Sequence, residues 1–221
     1  MFSKPGSTRP CRRGSTLIEL LCSVVIIGML VAMLMPGLDR GQAKVRQLKC
    51  INNLHQLGIA EVDFALEHDD RFPVQVSTNL GGSGEFLQAG RMVNGEFYFA
   101  YHHFLPLEPV LQTPKILRCP ADDRPAASSF RDLRNTNLSY FAGSVPQCGK
   151  PDSILAGDRN VTPASGSIAH LGGTYTLTWT RELHRYKGNV LFADRHVEQL
   201  KELFAMTNTR PPVELVLPSV P

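Results

Sequence analysis

Arg12-Arg13-Gly14-Ser15-Thr16-Leu17-Ile18-Glu19 sets a basic pair, a glycine and a carboxylate directly against a long apolar run. From Leu20 to Met35 every residue is apolar or small except Ser23. Extended to Leu17 and Leu38, the run makes a helix of about 33 Å at a rise of about 1.5 Å per residue, enough to cross a hydrocarbon core of about 30 Å. A carboxylate in such a segment costs about 2.5 to 3.5 kcal/mol at mid-helix and less near an end, so Glu19 needs a partner.

These residues resemble the processing site of type IV prepilins and type II secretion pseudopilins. The resemblance implies cleavage between Gly14 and Ser15 by a prepilin peptidase that also methylates the new amine. It makes Glu19 the fifth mature residue, which in this family pairs with a neighbouring subunit's amine. Pro36 matches the proline that commonly interrupts the family's helix; Ser15 departs from the usual phenylalanine or methionine. Other readings of the N-terminus explain less. A secretory signal needs small residues at its cleavage site, and Met33-Leu34-Met35-Pro36-Gly37 offers no such pair. A lipoprotein signal needs a small residue before its cysteine, whereas Cys22 follows Leu21. Ser15 and Thr16 stand where a twin-arginine signal is apolar, and an ordinary single-pass anchor leaves Glu19 unexplained.

Lys4, Arg9, Arg12 and Arg13 are the only charged side chains before Ser15, so loss of the leader turns the formal +3 into −1 (3 − 4). The basic balance therefore belongs to the leader, and no nucleic-acid partner is predicted. By charge alone the orientation is ambiguous, because Arg40, Lys44, Arg46 and Lys49 follow the apolar run; the processing signature places the N-terminus in the cytoplasm.

The 221 residues, 43% of them hydrophobic, suffice for one membrane helix and one modest domain. The expected organisation is a leader at 1–14, a transmembrane half-helix at 15–38, an amphipathic stalk at 39–72, a head at 73–205 and a loose tail at 206–221 after Pro211-Pro212. In the stalk, Val45, Leu48, Ile51, Leu54, Leu57, Val62 and Phe64 or Ala65 recur at three- and four-residue steps. Arg40, Lys44, Lys49, Gln56, Glu61 and Asp63 form the opposite, exposed face, and Arg71-Phe72-Pro73 ends the helix. Strands are predicted at 138–142, 153–156, 175–180, 189–193 and 196–200. A helix first and short antiparallel strands later indicate α+β, with a long N-terminal helix packed on a small sheet. The glycine-rich stretch Asn79 to Glu85 lacks the lysine of a P-loop and reads as a loop.

Asn189-Val190-Leu191-Phe192-Ala193-Asp194-Arg195-His196-Val197, with nine residues between His184 and Asp194, resembles the closing signature of a pilin-like family in which Asp-Gly precedes the final histidine. Arg195 stands in place of that glycine, at a cost of about 1 to 2 kcal/mol if the turn needs positive φ, so an altered or longer turn is expected. Cys50-Ile51-Asn52-Asn53-Leu54, Cys119-Pro120-Ala121-Asp122 and Leu138-Ser139-Tyr140 resemble the same family. On this reading His184 and Asp194 are structural, the imidazole bonding to a carboxylate or backbone while Val190, Phe192 and Val197 pack inward.

No catalytic site is expected. The seven histidines show no His-x3-His spacing, no Cys-x2-Cys occurs and no Gly-x-Ser-x-Gly elbow is present. The resemblance makes calcium the better inorganic candidate, with Asp152, Asp158 and Asp194 to supply oxygens, although their spacing is not diagnostic. Cys11 leaves with the leader, Cys22 lies in the apolar run and Cys50 on the stalk, so Cys119 and Cys148 are the pair for a disulfide; free thiols are the alternative. The resemblance implies a filament subunit, foremost a type II secretion pseudopilin, and otherwise a type IV pilin for adhesion or DNA uptake. A membrane-anchored enzyme or sensor is the rival from another class. The partners of a filament subunit would be the prepilin peptidase and methylase, other pseudopilins or pilins, and an inner-membrane assembly platform. The head would lie in the periplasm before entering an extracytoplasmic filament.

Overall fold

Helix α1 runs Leu17–Glu67 without a break, so Pro36 does not interrupt it. Proline removes one amide donor and crowds the preceding turn, a defect that helices in apolar surroundings accommodate locally. The computed structural model describes residues 16–87, 100–162, 168–171, 176–203 and 213–218. The chain divides into two units, Met1–Ala43 and Lys44–Pro221.

In the first unit, Leu17–Met35 has a mean hydropathy of 2.7 and none of it is buried. This helix is long and apolar enough to cross a membrane. Its start is fixed locally. Thr16 Oγ1 accepts from the Glu19 amide at 3.4 Å while Glu19 Oε2 accepts from the Thr16 amide at 3.2 Å. This reciprocal pair satisfies two donors that a helix N-terminus otherwise leaves open.

In the second unit, α1 buries Cys50, Leu54, Leu57, Ala60, Glu61, Phe64 and Ala65. The stripe buries Leu54, Leu57, Phe64 and Ala65 as expected but begins later, at Cys50: Val45 and Leu48 remain about half exposed, at 51% and 49%. Glu61, expected on the solvent face, is only 7% exposed. The helix stops before the predicted Arg71-Phe72-Pro73. Asp69 and Asp70 take φ of 55° and 59°, and the His68 ring bonds the Phe64 carbonyl at 2.8 Å in place of a helical amide.

Nine strands follow among the described residues: β1 Tyr140–Gly143, β2 Ile154–Asp158, β3 Val161–Thr162, β4 Ile168–Leu171, β5 Leu177–Trp179, β6 Gly188–Phe192, β7 Val197–Leu200, β8 Glu202–Leu203 and β9 Val213–Val216. They make a six-stranded sheet, β4-β9-β1-β2-β6-β7, and a three-stranded one, β3-β5-β8. Every pairing is antiparallel. The α+β architecture is thus pilin-like: a long N-terminal helix and an antiparallel sheet.

The large sheet is covered on both faces, so β1, β2 and β6 are buried along their whole lengths. On one face Tyr140, Ala142, Leu191 and Val216 join Leu54, Leu57 and Phe64 of α1. On the other, Phe141, Val190, Phe192 and Leu215 meet Val161, Leu177, Trp179 and Leu203 of the small sheet. Val197 packs with the α1 cluster. It therefore does not share a face with Val190 and Phe192, as a one-sided sheet would require. Close approach of α1 depends on Gly58, where a Cβ would sit 2.8 Å from Leu191 Cδ1.

Residues 213–216, expected in a loose tail, form β9 between β4 and β1. Arg124 anchors the chain just beyond this strand. Its Nη1 donates to the carbonyls of Asn135, Leu138 and Pro218 at 2.8, 2.9 and 2.9 Å. Between β6 and β7, Arg195 adopts φ 72° and its amide bonds the Phe192 carbonyl at 2.9 Å, so the hairpin keeps a left-handed turn position without glycine.

Candidate functional site

The described residues place Glu19 in the first turn of α1 with its carboxylate folded onto Thr16. Gly14 and Ser15 lie outside the described residues. Of Pro36, only the helical backbone is described.

A second constellation lies inside the head. Cys50, Cys119, Asp158 and His184 bring one Sγ, one Sγ, one carboxylate oxygen and one ring nitrogen within 4.8 Å of one another. Each comes from a different element. Cys50 sits on the buried stripe of α1. Cys119 follows a 3₁₀ turn at Pro114–Leu117. Asp158 ends β2, and His184 stands in the loop between β5 and β6. Cys50 donates to Asp158 Oδ1 at 3.3 Å, Cys119 Sγ meets His184 Nε2 at 3.4 Å, and His184 Nε2 lies 3.5 Å from Asp158 Oδ2.

A surrounding set of donors holds these groups. The Tyr140 hydroxyl is 3.3 Å from Cys50 Sγ. The Ala121 amide donates to Cys119 Sγ at 3.4 Å. Asn189 donates its backbone and side-chain N–H to Asp158 Oδ2 at 2.7 and 2.9 Å. Outside this, Asp122 accepts from Ser139 Oγ at 2.8 Å and from Arg159 Nε and Nη2 at 2.9 and 3.1 Å. That clamp ties the Cys119 loop to the residue after Asp158.

Protonation is displaced throughout. Burial pushes the Cys50 thiol and the Tyr140 phenol well up and Asp158 to about 7. The hydrogen bond from Cys50, with help from His184, draws Cys119 down to about 6. For His184, burial opposes the charge, but the Cys119 bond and the Asp158 charge raise its pKa overall.

This arrangement changes several sequence expectations. Cys119 and Cys148 are both free thiols; Cys119 is buried against His184, whereas Cys148 is exposed with Asp70 Oδ1 at 3.7 Å. His184 meets Asp158, not Asp194, because the hairpin turn carries Asp194 out to solvent, where its carboxylate holds the neighbouring His196 ring. Asp152 and Asp194 are exposed while Asp158 is fully buried, so among the described residues the three candidate calcium ligands do not gather. Each of the four clustered residues stood out in the sequence for a different reason. Their assembly did not, since no two lie at a short fixed spacing. The usable signal was the four-residue step from Cys50 to Leu54 and on to Leu57, which puts a cysteine on the apolar side of the stalk.

Among the described residues, the geometry defines one apolar helix suited to single-pass anchoring, followed by an α+β head. The model of the prokaryotic N-terminal methylation motif matches residues 9–35, which supports a pilin-like family for the chain and processing by prepilin peptidase. No curated protein and no solved structure shows significant similarity to it.

Proposed function

We propose that the chain is a filament subunit of the prepilin type, most specifically a type II secretion pseudopilin, with a structural and not an enzymatic role. The observation that carries this reading is the combination of the methylation motif at 9–35 with the wholly exposed apolar segment Leu17–Met35 and its single carboxylate, Glu19. An uncovered apolar helix requires lipid or other helices around it. A prepilin passes from the first environment to the second. In this account the leader is removed after Gly14, the helix holds the subunit in the cytoplasmic membrane with the head outside, and assembly platform proteins draw it into a filament with other pseudopilins or pilins.

N-terminal sequencing and intact mass of the chain from a host with active prepilin peptidase test the first step. A mature protein beginning at Ser15 is expected, and one still beginning at Met1 sinks the reading. Deleting the chain should then stop export of folded proteins. Loss of adhesion or DNA uptake with export intact marks a type IV pilin instead.

A further inference from the structure

We propose that Cys50, Cys119, Asp158 and His184 bind one Zn2+ ion in a closed structural site that locks α1 to the sheet of the head. This stands independently of the filament reading.

Two thiols, an imidazole and a carboxylate are a donor set suited to Zn2+ and poor for Ca2+, which takes oxygen ligands. Zinc–sulfur and zinc–nitrogen bonds of about 2.3 and 2.0 Å put tetrahedral ligand atoms about 3.3 to 3.8 Å apart. Cys119 Sγ lies 3.4 Å from His184 Nε2, the two Asp158 oxygens lie 3.3 Å from Cys50 Sγ (Oδ1) and 3.5 Å from His184 Nε2 (Oδ2), and with one oxygen of Asp158 as ligand no pair of the four ligand atoms exceeds 4.8 Å. The ligands come from four separate segments spanning Cys50 to His184, so one ion would cross-link most of the head. Cys50, Cys119 and Asp158 are fully buried and the His184 side chain is 5% exposed. Four protein ligands with no route for a water are the mark of a structural site; a catalytic one keeps a position open.

Charge balance explains the surrounding donors. With both sulfurs bound as thiolates, Asp158 as carboxylate and His184 as neutral imidazole, the Zn2+ site carries −1. Buried, that charge needs hydrogen bonds. The Tyr140 hydroxyl, the Ala121 amide and both Asn189 donors already point at the Cys50 sulfur, the Cys119 sulfur and Asp158 Oδ2. Such outer partners orient metal ligands and tune their basicity. Asn189 belongs to the same Asn-Val-Leu-Phe stretch that builds β6, which gives its polar side chain a role in an otherwise apolar strand.

The test uses the full chain purified in detergent. Elemental analysis should find one zinc per chain, and replacement by Co2+ should give the visible bands of a tetrahedral ion with thiolate-to-metal charge transfer. Cys50→Ser and Cys119→Ser should each abolish stoichiometric binding, Cys148→Ser should not, and Tyr140→Phe should weaken affinity by about 10- to 100-fold. Because the cysteine variants can fail to fold, thiol alkylation of the unmutated chain is a second readout: Cys50 and Cys119 should be protected until a strong chelator is added. A chain that neither holds zinc nor develops the cobalt spectrum overturns the proposal. So does a mass showing Cys50 joined to Cys119, or full metal content in both cysteine variants.

Discussion

Glu61 should make the head less stable as pH rises through the neutral range. Its side chain lies in the buried stripe of α1 at 7% exposure, and burial alone raises its pKa from 4.5 to about 8. A carboxyl with a folded pKa above its unfolded one contributes its full stability below pH 4.5. That contribution is lost progressively up to the folded value and is gone above it. At about 1.4 kcal/mol per pH unit, the loss between those limits reaches about 4 to 5 kcal/mol, of which about half has been spent near pH 6.3. We predict that Glu61→Gln matches the parent near pH 4.5 and gains steadily on it towards pH 8. The chain has one tryptophan, Trp179, buried in the second core cluster, so its fluorescence reports head unfolding in urea without interference from the membrane helix. Comparing parent and variant at each pH cancels the other titrating groups. A stability difference that stays constant from pH 5 to 8 refutes the reasoning.

Three further outcomes are predicted. Arg195→Gly should stabilise the head by about 1 kcal/mol, because φ of 72° costs a non-glycine residue about that much; the urea midpoint checks it. Arg124→Ala should destabilise by at least about 2 kcal/mol, since the carbonyls of Asn135, Leu138 and Pro218 lose a shared charged donor, and limited proteolysis should then cut near Pro218 first. Burial, with a smaller push from His102, lowers His103 from 6.5 to about 4. Its contribution is therefore complete above pH 6.5 and lost as pH falls towards 4, by about 3 kcal/mol. His103→Gln should flatten that acid limb in the same urea titration.

The fold was legible wherever one local rule decided it. Leu17 to Met35 reads as a membrane-length helix because composition suffices, and five of the strands fall where β-branched and aromatic residues cluster between turns. Legibility failed where tertiary context overrode the local signal. The two residues of β3 and the two of β8 are too short for any pattern and exist because the large sheet needs a cover for Phe141 and Phe192. β9 was hidden behind Pro211-Pro212, a breaker signal that says nothing about Val213–Val216 pairing with β1. Glu61 followed the polar-outward rule and broke it in the structure. The metal-like cluster was illegible for a different reason: Cys50, Cys119, Asp158 and His184 are single residues on separate segments, and only the folded sheet brings them within 4.8 Å.

Glu19 has two duties on the proposed reading, and substitution can separate them. Within one chain its carboxylate completes a capping box with Thr16, a local interaction whose loss costs about 1 kcal/mol. Between chains, the charge would pair with a neighbour's processed amine in surroundings without water, where an unpaired charge is far more costly. Glutamine preserves the box, since its amide oxygen accepts from the Thr16 N–H as glutamate does, but it carries no charge. Alanine removes both. We predict that Glu19→Gln keeps the slow hydrogen exchange of the first-turn amides, that Glu19→Ala speeds it, and that both insert normally into membranes yet fail to enter filaments in cysteine-crosslinking assays. Assembly of Glu19→Gln at the parental level would show that the carboxylate serves only its own helix and that register between subunits is set elsewhere.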